Sequence, residues 1–298
     1  MSEHEKGAGR PVLVGVEQGG DQPAVVRYAA RHASLHGLPL NLLHVAAEGS
    51  SPAGPGAGRA EGEERSPVTQ AVATLVKPLV ELVETEFPDV AVTAEAVAGR
   101  PAAVLVERSA EAAWLVVGHR GGGGFPRLPL GSVSWQVATH ASCPVVVVRP
   151  GENAVRENRV VVGVDVHDVP HEALDLAYAE AHVRGARLEL VYGAFHLGQM
   201  PAGPGMVAPN FEELDERARQ ALRAEAAKRL SRFPEVAVDL RVEQVRPATI
   251  LSEASRRAAL LVVGSHGRTG LRRLMLGSVS GEALHTAECP VAVVPHRH

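Results

Sequence analysis

The chain is predicted to be α/β, with two doubly wound domains, each built on a five-stranded parallel sheet, spanning residues 1–150 and 151–298. Three observations carry this. At 298 residues and 45% apolar content the chain is long enough for two ordinary cores. It matches itself at a shift of 146 residues: "RPAAVLVERSAEAAWLVVG" lies over "RPATILSEASRRAALLVVG" and "ASCPVVVV" over "AECPVAVV", without a gap from Arg100 to Val148. Its apolar runs, such as "PVLVGV", "LNLLHV", "WLVVG" and "PVVVVR", are continuous rather than alternating, as expected of strands covered by helices on both faces.

A period this long marks a duplicated domain and not a solenoid. Upstream, "VLVGVEQ" matches "VVVGVDV" and "GLPLNLLHVA" matches "GARLELVYGA" at a shift of 148, so the halves differ by two residues in between. The polar stretch "RPGENAVREN" is the expected junction.

Each half then reads strand, helix, strand, long loop and helix, strand, helix, strand, helix, strand. The connections "AEGSSPAGPGAGRAEGEERSP" and "FHLGQMPAGPGMVAPN" are long and rich in Gly and Pro, which fits either a mobile flap or plain disorder. In the following helix of the first half, Val72, Leu75, Val76, Leu79 and Val83 are expected on one face, with a kink at Pro78. In its counterpart Leu222 and Leu230 are expected to point inward.

Composition narrows the function. A net charge of -4 gives no global basic field, which disfavours nucleic acid. No apolar run approaches a membrane span and no signal peptide is recognisable, so a soluble, cytoplasmic protein is expected. Cys143 and Cys289 are too few and too far apart for a zinc or disulfide framework and read as buried thiols, and no metal site is expected.

The chemistry concentrates in "GHRGGGGFPRLPLGSVS" and its copy "GSHGRTGLRRLMLGSVS". The shared skeleton is Gly118-x-x-Gly121, nine residues, Gly131-Ser132, and Gly264-x-x-Gly267, nine residues, Gly277-Ser278. Each copy begins where a strand ends and finishes where a helix begins. The first helical amides lack partners and carry partial positive charge, so an anion fits there, and glycine lets a phosphate approach the backbone. Ser132 and Ser278 either cap the helix or offer a hydroxyl to that phosphate. One copy alone is equally well a capped turn; two with identical spacing favour phosphate binding. Neither a P-loop nor GxGxxG is present. Glu17 and Asp165 end the first strand of each half, where a carboxylate is either a turn residue or a hydrogen-bond acceptor for a base amino group or a ribose hydroxyl. Of the charged loop residues, Arg268 is the candidate phosphate partner, while His119 and His266 are expected to face solvent. Trp114 and Trp135 flank the first motif.

With these residues assembled, the chain resembles the universal stress protein family as a tandem pair of domains. The G-x2-G-x9-G-[ST] motifs, the "VGVD" first strand and the "CPVVVV" last strand carry the likeness. The resemblance implies the adenine nucleotide alpha hydrolase-like fold and ATP as cofactor, with Mg as a candidate companion ion. It also implies a regulatory role in stress or dormancy, exerted on an unidentified protein. Weak ATP hydrolysis or phosphotransfer, and a non-binding dimeric scaffold, are the competing functions. By position, Asp165 faces the adenine, with Val45 and Gly193 closing that end. Gly15, Gly163, Gly118 and Gly264 lie against the ribose. Gly121, Gly131, Ser132, Val133 and Ser134 hold phosphates in the first half, and Gly267, Gly277, Ser278, Val279 and Ser280 in the second. Glu17 replaces the family's Asp, which makes the first site the weaker expectation. Gly193 in place of Val45 is expected to cost the second site one apolar contact. The resemblance further implies intramolecular pairing of the halves along their last strands, and allows a homodimer of chains.

Overall fold

The computed structural model describes residues 9–19, 21–46, 68, 71–120, 130–149, 157–194, 210–265 and 275–296. The chain divides into two compact units, Met1–Glu152 and Asn153–His298. In the first, β1 (Val12–Val16), β2 (Leu40–Ala46), β3 (Val92–Ala98), β4 (Trp114–Gly118) and β5 (Val145–Val148) form a parallel sheet in the order β3-β2-β1-β4-β5. In the second, β6 (Arg159–Gly163), β7 (Arg187–Gly193), β8 (Val238–Glu243), β9 (Leu260–Gly264) and β10 (Val291–Val294) repeat it as β10-β9-β6-β7-β8. The winding reverses beside the central strand of each unit, between β1 and β4 and between β6 and β9. This opens a crevice beyond the carboxyl ends of those strands.

Strands β1 and β4 are buried along almost their whole length, whereas the edge strand β3 keeps polar and exposed positions. Helix α1 (Gln22–His36) starts at Asp21, whose side chain accepts from the Ala24 N–H, and stops at Gly37 with φ 61°. Its counterpart α5 (His171–Arg184) stops in the same way at Gly185, φ 57°. Among the described residues no helix is long and apolar enough to cross a membrane. Cys143 and Cys289 are buried thiols, as expected.

Two helical expectations need correction. Val76, Leu79 and Val83 face the core, but Val72 is 43% exposed, and Ala71 is buried instead. The reason is Pro78. Val72–Val76 is a π turn in which the Lys77 N–H donates to the Val72 carbonyl, five residues back, and α2 (Lys77–Glu86) follows. The widened turn accommodates the proline ring and shifts the face, so the buried pair is Ala71 and Val76, five apart. In the second unit α6 (Phe211–Ala227) ends before Leu230, which is 60% exposed; Phe233 enters the core from the turn that follows.

Helices α3 (Pro101–Arg108) and α7 (Pro247–Ser255) each open on a proline at a position whose N–H has no intrahelical acceptor. Near their ends the buried hydroxyls of Ser109 and Ser255 donate to Val106 and Ser252 carbonyls, 2.6 Å in both cases. They accept from the N–H of Ser142 at 2.8 Å and of Glu288 at 2.9 Å, just before the final strand of each unit.

Candidate nucleotide crevice

Each crevice is built where a strand ends in glycine and a helix starts on glycine. Gly131 and Gly277 are the N-cap residues of α4 (Ser132–His140) and α8 (Ser278–Thr286), and neither helix has a side-chain cap. Ser132 and Ser278 therefore stand at the first helical position, and the capping option for their hydroxyls drops out. The first intrahelical bonds come from Trp135 to Gly131, 3.0 Å, and from Gly281 to Gly277, 2.8 Å. The three amides ahead of them, Ser132–Ser134 and Ser278–Ser280, precede that ladder and point out of the helix end. The N–H of Gly131 donates to the His119 carbonyl and that of Gly277 to the Ser265 carbonyl, 2.9 Å each. Strand end and helix start are thus joined directly at the base of the intervening loop.

The third residue of each helix does a job the sequence did not announce. Ser134 Oγ donates to the Gly118 carbonyl at 2.7 Å, and Ser280 Oγ to the Gly264 carbonyl at 2.5 Å. Both serines are buried. Their hydroxyl protons hold the helix against the strand, which leaves their backbone N–H groups as what they present to an anion.

In the second unit these pieces enclose a cleft of about 390 Å³ that touches Gly163, Asp165, Gly193, Gly264, Gly277, Ser278, Val279 and Ser280. Every described residue expected at the second site is in it. The cleft is completed by Asp168, Pro170, Tyr192, Pro247 and Leu251, which sequence reasoning passed over. Pro247 and Leu251 were within reach, since Pro101 and Leu105 match them in the other half; Asp168, Pro170 and Tyr192 have no identical partner to flag them. Asp165 is oriented by a turn, its Oδ1 accepting from the His167 N–H at 3.0 Å. One end of the cleft is therefore acidic, with Asp165 and Asp168, and the other carries the positive end of α8.

Gly15 and Gly163 have a packing reason of their own: a Cβ on either would come within 3.0 Å of a methyl of Leu105 or Leu251. Gly193 proves to be more than a missing apolar contact. A Cβ there would lie 2.6 Å from Pro247 Cα, 2.8 Å from its N and 2.9 Å from the Val245 carbonyl oxygen. In the first unit the equivalent pair is reversed: Val45 keeps its side chain, and the strap passes over it through Gly99, whose φ is 153°. Valine avoids that backbone conformation, so at Val245 the strap runs closer, and only glycine fits beneath it.

The first crevice differs in charge as well. Glu17 lies one residue beyond β1, and its N–H donates to Gln22 Oε1 at 3.4 Å. The residue as a whole is exposed, yet partial burial of its carboxyl raises its pKa above the ordinary 4.5, with the neighbouring His44 pulling the other way. His44 is buried with Nδ1 2.9 Å from the Val16 carbonyl, where the second unit has Tyr192. His119, expected in solvent, is 7% exposed, because its N–H bonds Val148 and its carbonyl takes the Gly131 N–H. Trp135 stands on the first turn of α4 and is 36% exposed, but Trp114 opens β4 and lies at the far end of that strand from the crevice. Gly121, Gly267, Arg268 and His266 lie outside the described residues.

Comparison with known proteins agrees with this architecture. A profile described as the universal stress protein family matches residues 9–149 and again 157–295. A universal stress protein of Mycolicibacterium smegmatis (strain ATCC 700084 / mc(2)155) is 37% identical over 298 residues, covering 96% of this chain and 97% of its own. One from Mycobacterium tuberculosis (strain ATCC 25618 / H37Rv) is 34% identical over 287 residues, covering 95% and 96%. Among solved structures, a universal stress protein from Archaeoglobus fulgidus DSM 4304 superposes with a TM-score of 0.67 at 17% identity, covering 96% of each chain.

Proposed function

The chain belongs to the universal stress protein family, in tandem form, and from that premise we propose that it is an ATP-binding regulatory protein whose second crevice is the principal site. The observation that supports this is the cleft of the second unit, where a strand-end carboxylate and an uncapped helix start face one space of nucleotide size. In this reading Asp165 and Gly193 take the base and Gly163 and Gly264 the ribose. The amides of Ser278, Val279 and Ser280 take the phosphates, with Gly267 and Arg268 as further phosphate contacts. Gly15, Glu17, Val45, Gly118, Gly121, Gly131 and Ser132–Ser134 form the corresponding, weaker site. Occupancy would be passed to a partner protein through a difference in that partner's affinity for the filled and empty forms.

Gly277→Asp is the discriminating variant. Aspartate is a favourable N-cap, so the helix is preserved, while its carboxylate occupies the amides and repels phosphate. Equilibrium dialysis with ATP, with and without Mg, should show binding that Gly277→Asp weakens at least tenfold and Gly131→Asp weakens less. No ATP bound by the unaltered protein overturns the proposal; a larger loss in Gly131→Asp reverses the order of the two sites.

A further inference from the structure

Helix α1 carries a second constellation at the end of the first sheet opposite the crevice. His32 and His36 are four residues apart and so share one face of the helix. Their ring centroids are 4.5 Å apart, and a ligand nitrogen of one lies within 4.8 Å of a ligand nitrogen of the other. His32 is buried, 1% exposed, while His36 is half-buried. Trp114, at the start of β4, meets His32 edge-on with ring centroids 4.4 Å apart, and Tyr28 lies parallel to the same ring at 6.2 Å.

We propose that His32 and His36 form a binding site for a divalent transition-metal ion of the imidazole-preferring class, zinc, nickel, cobalt or copper. Two histidines at this spacing on one helical face are the usual way a helix offers two nitrogen ligands to such an ion. At metal–nitrogen distances of about 2.0 Å, two ligands in tetrahedral geometry stand about 3.3 Å apart. Side-chain rotation on a fixed helix closes that remaining gap. Trp114 and Tyr28 pack against the His32 ring and hold it, so the adjustment falls on the half-buried His36 and less rotamer freedom is lost when an ion binds. Magnesium and calcium, which prefer oxygen ligands, are disfavoured here. This site is separate from the nucleotide crevice and does not depend on it.

Trp114 supplies the readout. In untagged full-length protein carrying Trp135→Phe, Trp114 is the sole tryptophan, and Ni²⁺ or Co²⁺ held by His32 lies close enough to quench it. Titration with Ni²⁺ should quench the emission saturably at one ion per chain, and excess Zn²⁺ should restore it by displacement. His36→Gln and His32→Gln should each weaken the apparent affinity at least tenfold. His36→Gln carries the test if His32→Gln unfolds, because position 36 is half-buried and its exchange leaves the helix intact by circular dichroism. Absence of quenching, or quenching that His36→Gln leaves unchanged, overturns the proposal.

Discussion

Val245 determines what can stand at residue 193. Gly193→Val forces a side chain into the backbone of Val245–Pro247 and should destabilise the second unit by at least about 3 kcal/mol, more than ordinary overpacking, because backbone cannot rotate away. Adding Val245→Gly permits the strap conformation seen at Gly99 and should recover much of the loss, a positive coupling readable in urea midpoints. Additive losses would show that the strap is held by something else. The exchange was present in the sequence as Val45 with Gly99 against Gly193 with Val245, but a sequence shows the missing side chain and not the backbone that replaces it. Glu17 makes a second residue-scale case. A carboxyl whose pKa is raised on folding favours the folded state when protonated, so its contribution is fully present below 4.5 and is lost as pH rises through the raised value. Glu17→Gln should therefore be the more stable form at neutral pH. It should also flatten the dependence of the thermal midpoint on pH just above 4.5; an unchanged profile would place Glu17 in solvent.

Elements were legible to the extent that local chemistry decides them. Continuous apolar runs became strands, and α1 and α5 stop at Gly37 and Gly185, each in the left-handed conformation. The faces of α2 and α6 were less so. Periodicity assumes one turn length, and the π turn ahead of Pro78 changes it, while α6 stops before its pattern does. The duplicated serine ties escaped notice because a serine in a helix carries no signal of what it bridges. Ser109→Ala and Ser255→Ala each remove two part-buried hydrogen bonds, one donated and one accepted by the hydroxyl. Each should cost about 1–3 kcal/mol of stability in its own unit, measured by denaturant unfolding. Losses under half of that lower bound would mean that water replaces the hydroxyl.

At the scale of the whole molecule the duplication was the most readable feature, because a 146-residue shift preserves spacing even where residues differ. At the upstream shift of 148, Glu17 and Val45 stand against Asp165 and Gly193, to which the structure adds His44 against Tyr192. The glycines expected at the two sites divide by steric role. Gly131 and Gly277 sit at helix starts, Gly15 and Gly163 under leucines, and Gly193 under a strap, so one residue type answers three different steric demands.

The paired bonds from Gly131 to His119 and from Gly277 to Ser265 have a bearing on how such a chain changes over time. They clasp the chain on either side of each glycine-rich segment, so the entropy of closing that segment falls on the segment and leaves strand and helix in register. Lengthening a closed loop twofold costs only about 0.6 kcal/mol in this regime. Strand and helix therefore keep their register independently of the residues that join them. One ancestral half could in this way give rise to two that keep a common frame while their sequences diverge around it.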